Sequence, residues 1–224
     1  MLVHISSLEY LINQEDDEIR KIAFIAKKYM VNDSSGHDWH HVLRVFNLCI
    51  RIGSKLNIDL KALKIASLLH DIGLTYEIKL NVDHAVKSAQ LAKEILGELG
   101  YSDIFINKVY SIILSHRYGV ERSSELLEAK ILQDADRLDA IGAIGIARAF
   151  AYGGARGAPI CNPEEEIEEY NPFKVKSTII HFYEKLLKIR DSLNTQEAKI
   201  IAEERHKFME EFLKRFIKEW IGEA

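Results

Sequence analysis

The sequence predicts an all-α protein, and three observations carry that reading. All three prolines, Pro159, Pro163 and Pro172, fall in one short region, so the rest of the chain is spared the residue that most strongly breaks helices. Outside that region, apolar residues recur at the three- and four-residue spacing that gathers them on one helix face. No apolar–polar alternation persists long enough for a strand.

Taken in order, the first clear helix runs from Asp16 to Met30, where Ile19, Ile22, Ala23, Ala26 and Tyr29 form an apolar stripe opposite Lys and Glu. Asn32-Asp33-Ser34-Ser35-Gly36 is expected as a turn. A helix over Trp39 to Leu56 follows, carrying Val42, Val45, Phe46, Cys49, Ile50 and Ile52. The next, Leu60 to Ile72, buries Leu63, Ala66, Leu69 and Ile72, with Gly73 expected as the left-handed residue that closes it. Asp83 is placed to cap a helix reaching Leu96. The turn at Gly100-Tyr101-Ser102-Asp103 precedes another, Ile104 to Ser115. Leu126 to Phe150 reads as one helix whose small residues Ala140, Gly142, Ala143, Gly145 and Ala147 permit close packing. Tyr152 to Pro172 is irregular, rich in Gly and Pro and then in Glu, the kind of long loop that often serves as a lid. Asn171-Pro172 is expected to start a helix through Ile189. Thr195 to Trp220 forms the last, with Ile200, Ile201, Phe208, Phe212, Leu213, Phe216 and Ile217.

The 224 residues are 47% hydrophobic and 29% charged, enough apolar material for one large domain with a sizeable core, with two small domains as the alternative. A net charge of −4 gives no global pull toward nucleic acid or an anionic membrane. Cys49 and Cys161 lack CxxC spacing and suit reduced thiols of a cytoplasmic protein. Met1-Leu2-Val3-His4 opens no signal-peptide pattern, and no apolar run is long enough to span a bilayer.

The chemistry concentrates at Leu68-Leu69-His70-Asp71-Ile72-Gly73. A neutral nitrogen and an anionic oxygen meeting at a helix end suit a divalent cation. A lone His-Asp pair is more often a capping carboxylate beside an ordinary histidine, so the metal reading needs further ligands. Two segments offer them: His37, His40 and His41 ahead of Val42, and Asp134, Asp136 and Asp139 around Ala135 and Leu138. Each adjoins strongly apolar residues, and a buried carboxylate without a partner is costly. Taken singly, a salt bridge such as Asp136 with Arg137 or Arg44 explains each residue as well.

In order and spacing, His41, His70-Asp71 and Asp136 resemble the H…HD…D signature of the HD-domain metal-dependent phosphohydrolases. His41 stands four residues before Val45, and Asp136 follows Ala135, as in that family. The resemblance covers Gly36 to Ala147. It extends through Tyr152-Gly153-Gly154-Ala155-Arg156-Gly157 and His181-Phe182-Tyr183-Glu184-Lys185-Leu186 to the small stand-alone bacterial and archaeal branch. Some members of that branch hydrolyse nucleoside triphosphates and release pyrophosphate. The resemblance implies a single HD-type helical domain over 1–224, with a metal-binding core at 36–147, a lid at 152–172 and C-terminal helices at 173–221.

It further implies one divalent ion held by His41, His70, Asp71 and Asp136. Mixed imidazole and carboxylate ligation points to Mn²⁺ first, with Fe²⁺, Co²⁺, Ni²⁺, Zn²⁺ or Mg²⁺ as other occupants. Asp71, His84 and His116 are the expected catalytic residues. In the two-metal HD phosphodiesterases, histidines in places comparable to His84 and His116 hold a second ion, the latter often as a His-His pair. Here Arg117 follows His116, so both histidines are read as phosphate-contacting or proton-transferring groups. Glu77 is a candidate general base or a solvated loop carboxylate. Asp134 and Asp139 could orient ligand histidines or form helix salt bridges.

Phosphates need positive charge, and Arg117, Arg137, Arg148 and Arg156 lie near the proposed ligands in sequence. Tyr152 could stack on a base or belong to the core. The Gly-rich run around Arg156 lacks the strand–loop–helix setting of a P-loop. The expectation is a metal-dependent nucleotide phosphohydrolase acting on a small-molecule substrate, without membrane or long nucleic acid, with a homodimer possible through the last helix. The alternatives are a 5′-nucleotidase, a cyclic-nucleotide or oligonucleotide phosphodiesterase on the same site, a non-catalytic nucleotide sensor, or a purely structural helical protein.

Overall fold

A computed structural model describes residues 8–30, 36–80, 82–117, 125–171 and 174–224. The described residues are mainly helical with no strand among them, as the sequence predicts. The elements are α1 (Leu8–Asn13), α2 (Asp17–Tyr29), α3 (Trp39–Gly53), α4 (Leu60–Leu69), α5 (Leu74–Leu80) and α6 (His84–Glu98). They continue with α7 (Asp103–Leu114), α8 (Leu127–Asp139), α9 (Gly142–Ala155), α10 (Thr178–Glu184), a 3₁₀ segment (Leu186–Ser192) and α11 (Gln196–Trp220). The chain divides into two compact units, and the boundary falls between Asp136 and Arg137 inside α8. No described helix is long and apolar enough to cross a membrane.

In the first unit α4 is the hub. Seven of its ten residues, Ala62, Leu63, Ile65, Ala66, Ser67, Leu68 and Leu69, are buried, the signature of a helix enclosed on nearly all sides. It packs against α2, α3, α6 and α7. Asp59 caps its start by accepting from the Ala62 amide at 3.0 Å. The Asp59 amide donates to Glu128 of α8 at 2.8 Å, and Lys108 of α7 joins both carboxylates at 3.3 and 2.9 Å. The start of α4 is therefore tied to two neighbours by charge as well as by packing.

The second unit holds α9, α10, the 3₁₀ segment and α11. Its core is aromatic: Phe150, Phe182 and Phe212 stand 6.0–6.1 Å apart centre to centre, and Phe216 adds to the group at 6.0 Å from Phe212.

Five sequence expectations are corrected, the first being that Tyr152–Ala155, assigned to the irregular stretch, forms the end of α9. Gly73 is not left-handed; glycine is needed there because a Cβ would stand 2.6 Å from the His84 carbonyl oxygen and the Ser88 amide nitrogen. The Leu60–Ile72 helix stops at Leu69, and a short helix, α5, follows the HD pair. The Leu126–Phe150 helix is two helices, because Ile141 is extended and Gly142 adopts φ +78°, a combination that interrupts the α-helical hydrogen-bond ladder. The helix assigned to Asn171 onward starts at Thr178. Its first amides, Thr178 and Ile179, are taken by the loop carbonyls of Pro159 and Ile160 at 2.9 and 3.0 Å. The Asn32–Ser35 part of the predicted turn and Pro172 lie outside the described residues.

Gly73→Ala is expected to cost about 2–4 kcal/mol, at the upper end of overpacking penalties because two backbone atoms obstruct the methyl group. Chemical denaturation of the variant measures this; a loss below about 0.5 kcal/mol would contradict the close-approach account.

Candidate metal centre

The centre is assembled at the C-terminal end of α4. His70 is the residue that ends the helix, at φ −62° and ψ −33°, and Asp71 follows it. From α3 comes His41, in the first turn of a helix capped by Asp38, which accepts from the His41 amide at 3.0 Å. Asp136 comes from the last turns of α8. His41 and His70 are fully buried, Asp71 is 5% exposed, and Asp136 is half-buried.

His41 Nε2 lies 3.4 Å from Asp71 Oδ2, 3.4 Å from Asp136 Oδ1 and 3.4 Å from His70 Nε2, and His70 Nε2 lies 3.5 Å from Asp71 Oδ2. Donor atoms sharing a cation at about 2.0–2.2 Å stand roughly 3.0–3.5 Å from one another. The adjacent His70 and Asp71 do reach one point, as the loosening backbone at a helix end allows.

Tautomers decide which nitrogens face inward. His70 Nδ1 is 2.8 Å from the Ser67 carbonyl, and a carbonyl can only accept, so Nδ1 carries the proton and Nε2 keeps its lone pair. His116 is held the same way, with Nδ1 2.6 Å from the Ile113 carbonyl. His84 Nδ1 is in a short contact with the Glu77 carboxylate. Three imidazoles are thus oriented from behind, the arrangement that fixes metal-binding histidines. The fit to a cation lies in the donor set: the Nε2 atoms of His41 and His70 stand 3.4 Å apart beside the carboxylates of Asp71 and Asp136.

Asp71 serves both sides of the site. Oδ2 faces His41 and His70, whereas Oδ1 lies 3.5 Å from His116 Nε2 and 3.7 Å from His84 Nε2. Those two nitrogens stand 3.3 Å apart. Two groups of ligand-type atoms result, His41–His70–Asp71 and Asp71–His84–His116, joined by one carboxylate.

The electrostatics follow from burial and these contacts. Burial pushes the His70 imidazole down to about 4, against the opposing pull of Asp71, which leaves it neutral near pH 7 as a ligand must be. Burial alone would raise Asp71, but the charge of His70 and the close approach of the His116 and His41 imidazoles hold it well below the usual carboxylate range. Asp136 is likewise lowered, because His41 outweighs the effect of burial. For His84, burial is outweighed by the Glu77 hydrogen bond and the Asp71 charge, and the imidazole is raised.

The other singled-out residues take these places. Glu77 supports His84 and accepts from Arg117 at 2.8 Å, and Arg117 also reaches Asp83 at 3.1 Å. Asp83 caps α6, as predicted, and so fixes His84 as its first helical residue. Asp134 is buried, and with Asp136 it raises the buried Cys49 thiol, after burial itself. In the second unit, Asp139 pairs with Arg148 at 2.6 Å, and Arg137 donates to the Ser192 carbonyl at 2.5 Å. Tyr152 and Arg156 line a pocket of that unit. Sequence reasoning missed the supporting shell: the Ser67 and Ile113 carbonyls leave no trace in residue identity. So did the bond from Gln133 Nε2 to the Ser115 carbonyl at 2.5 Å, which holds α8 against the end of α7.

The HD domain family model matches residues 38–141, which contain all four candidate ligands. The chain is 35% identical to the Bacillus subtilis protein YpgQ over 93% of its own length and 97% of the relative's. The chain belongs to the HD family of metal-dependent phosphohydrolases. A crystal structure of YpgQ in complex with ADP shares 33% identity, covers 92% of this chain and 100% of that one, and gives a TM-score of 0.71. An HD-superfamily hydrolase from Bacillus thuringiensis shares 36% identity, with 91% and 97% of the two chains covered and a TM-score of 0.72. The HD pair for which the family is named is His70-Asp71 here.

Asp71→Ala is expected to lower divalent-metal affinity at least about a hundredfold while leaving helix content unchanged, since the carboxylate faces both groups of donors. Metal analysis after dialysis, with circular dichroism as the fold control, measures this; full metal occupancy in both His70→Ala and Asp136→Ala would show the ligands to be misassigned. Glu77→Ala should reduce kcat about 10- to 100-fold by freeing the His84 ring. A wild-type kcat in that variant would remove Glu77 from the account.

Proposed function

We propose that this HD-family hydrolase acts on nucleoside triphosphates and releases pyrophosphate, with Mn²⁺ as its working cation. The observation that carries the reading is the set of four donors, His41, His70, Asp71 and Asp136, gathered at the end of a buried helix. The binding of ADP by YpgQ supports a nucleotide as the ligand class. A bound divalent ion at these four residues would supply Lewis acidity toward a phosphoryl oxygen and acidify water near neutral pH.

The chain's own residues then have defined tasks. His84 and His116 present Nε2 toward Asp71 from the side opposite His41 and His70, where they can contact phosphate oxygens and hold or pass a proton. Glu77 keeps the His84 ring in place and is itself held by Arg117, whose guanidinium also pairs with Asp83. Glu77 is given this supporting task in place of general base, because its carboxylate is engaged by His84 and Arg117. Arg137 and Arg148 are not carried into the substrate site, since their guanidinium groups meet Ser192 and Asp139.

A second reading has one specific observation in its favour. Asp71, His84 and His116 themselves form a group of three ligand-type residues, and a second cation there would suit a phosphodiesterase. The missing His-His pair at His116-Arg117 ranks this below pyrophosphate release. The remaining parts of the proposal are a cytoplasmic location, supported by the two free thiols Cys49 and Cys161, and a small-molecule substrate in place of long nucleic acid. A homodimer through α11 would use its exposed Phe208, Ile217 and Trp220.

Metal-stripped protein resupplied with Mn²⁺ is to be assayed against nucleoside mono-, di- and triphosphates with products read by phosphorus NMR. Monophosphate and pyrophosphate from triphosphates are the expected products. Inorganic phosphate from monophosphates would replace this reading with a nucleotidase, and absence of turnover with one metal bound would favour a sensor.

A further inference from the structure

The second unit contains a pocket of about 480 Å³, counted with its mouth, between the end of α9, the segment before α10 and α10 itself. Its walls combine three cations, Arg156, Lys174 and Lys176, with the rings of Tyr152, Tyr170 and His181. One acid, Glu184, lines it, and that carboxylate is engaged by Lys176 at 2.7 Å and the Glu168 amide at 3.0 Å. Lys174 and Lys176 each reach Glu168 at 3.1 Å.

Arg156 differs from both lysines. Among the described residues no carboxylate pairs with it; its guanidinium lies 5.3 Å from the Tyr152 ring centre and donates to the Tyr152 hydroxyl. An arginine laid over an aromatic ring keeps its planar fork of donors in one orientation with several N–H groups unspent. Opposite charge would complete it.

The imidazole of His181 sets the other half. It packs against Tyr170 at 5.3 Å, and Lys185 stands 4.8 Å from the far ring's centre. Burial, and then the Lys185 charge, push His181 down to about 4, so near pH 7 it is a neutral ring able both to donate and to accept. Rings and a neutral donor–acceptor beside a solvent-facing guanidinium suit a flat heterocycle that bears an anion.

From this we infer that the pocket of Tyr152, Arg156, Tyr170, Lys174 and His181 is a binding site for a nucleoside monophosphate, with Arg156 on the phosphate and the rings on the base. The site is a property of the second unit and does not rest on the metal chemistry proposed for the first. It gives Tyr152 and Arg156, expected from sequence to contact substrate, a ligand that needs no metal.

Calorimetric titration of AMP into the full chain in excess EDTA tests it, because removing divalent ions silences any metal–phosphate contact. One saturable site is expected, weakened at least about tenfold by Arg156→Glu and by Tyr170→Ala. Arg156 is exposed at the end of α9, so its substitution should leave circular dichroism unchanged. Adenosine and inorganic phosphate, titrated separately, should each bind more weakly than AMP. The absence of AMP binding in EDTA would overturn the inference. So would equal AMP affinity in both variants, or phosphate binding as tightly as AMP. None of these outcomes touches turnover with Mn²⁺, so failure here and failure of the hydrolase reading are distinguishable.

Discussion

A nearly buried carboxylate at the end of a buried helix is costly unless cations or hydrogen-bond donors surround it, and Asp71 is that carboxylate. Its two oxygens face different groups of imidazoles, His41 and His70 on one side and His84 and His116 on the other. α3, α4, α6 and the end of α7 each contribute one of these histidines. The packing of the first unit can therefore be understood as bringing four helix ends to one anion. α4 can place Asp71 because it is enclosed on nearly every side and tied at its start to Lys108 and Glu128.

Orientation comes from groups that do not touch the centre. Carbonyls of Ser67 and Ile113 and the carboxylate of Glu77 hold Nδ1 of three histidines, so that each presents Nε2. The same logic explains Gly73. The chain leaving the HD pair must pass against the first turn of α6, where Ser88 accepts from the Gly73 amide at 2.9 Å. A side chain at 73 would push His84 away from Asp71. Local backbone and remote chemistry are thus coupled through one missing methyl group. This geometry gives the family membership chemical content, because the residues that match the HD signature are also the ones whose ligand-type atoms converge.

Much of this was legible in the sequence, for physical reasons that differ by element. The amphipathic stripe of α2 and the cap at Asp83 are local features, and they appear where side-chain spacing and capping chemistry place them. His41, His70, Asp71 and Asp136 were picked out as a set by their resemblance to the H…HD…D signature, and the structure brings their donor atoms together. The division of Leu126–Phe150 was not legible, since it depends on Gly142 at positive φ with Arg205 packed against it, a tertiary contact without a local signal. The same holds for the start of α10, whose first amides are satisfied by carbonyls some twenty residues earlier. Arg137 and Arg148 are a different case. Proximity in sequence to a ligand suggested a phosphate contact, whereas their partners come from Ser192 and Asp139.

Anomalous diffraction from crystals grown with Mn²⁺ tests the central claim most directly. A peak is predicted among His41 Nε2, His70 Nε2, Asp71 Oδ2 and Asp136 Oδ1, within about 2.0–2.4 Å of each. A Mn²⁺ peak elsewhere in the chain with none among these four atoms would contradict the account.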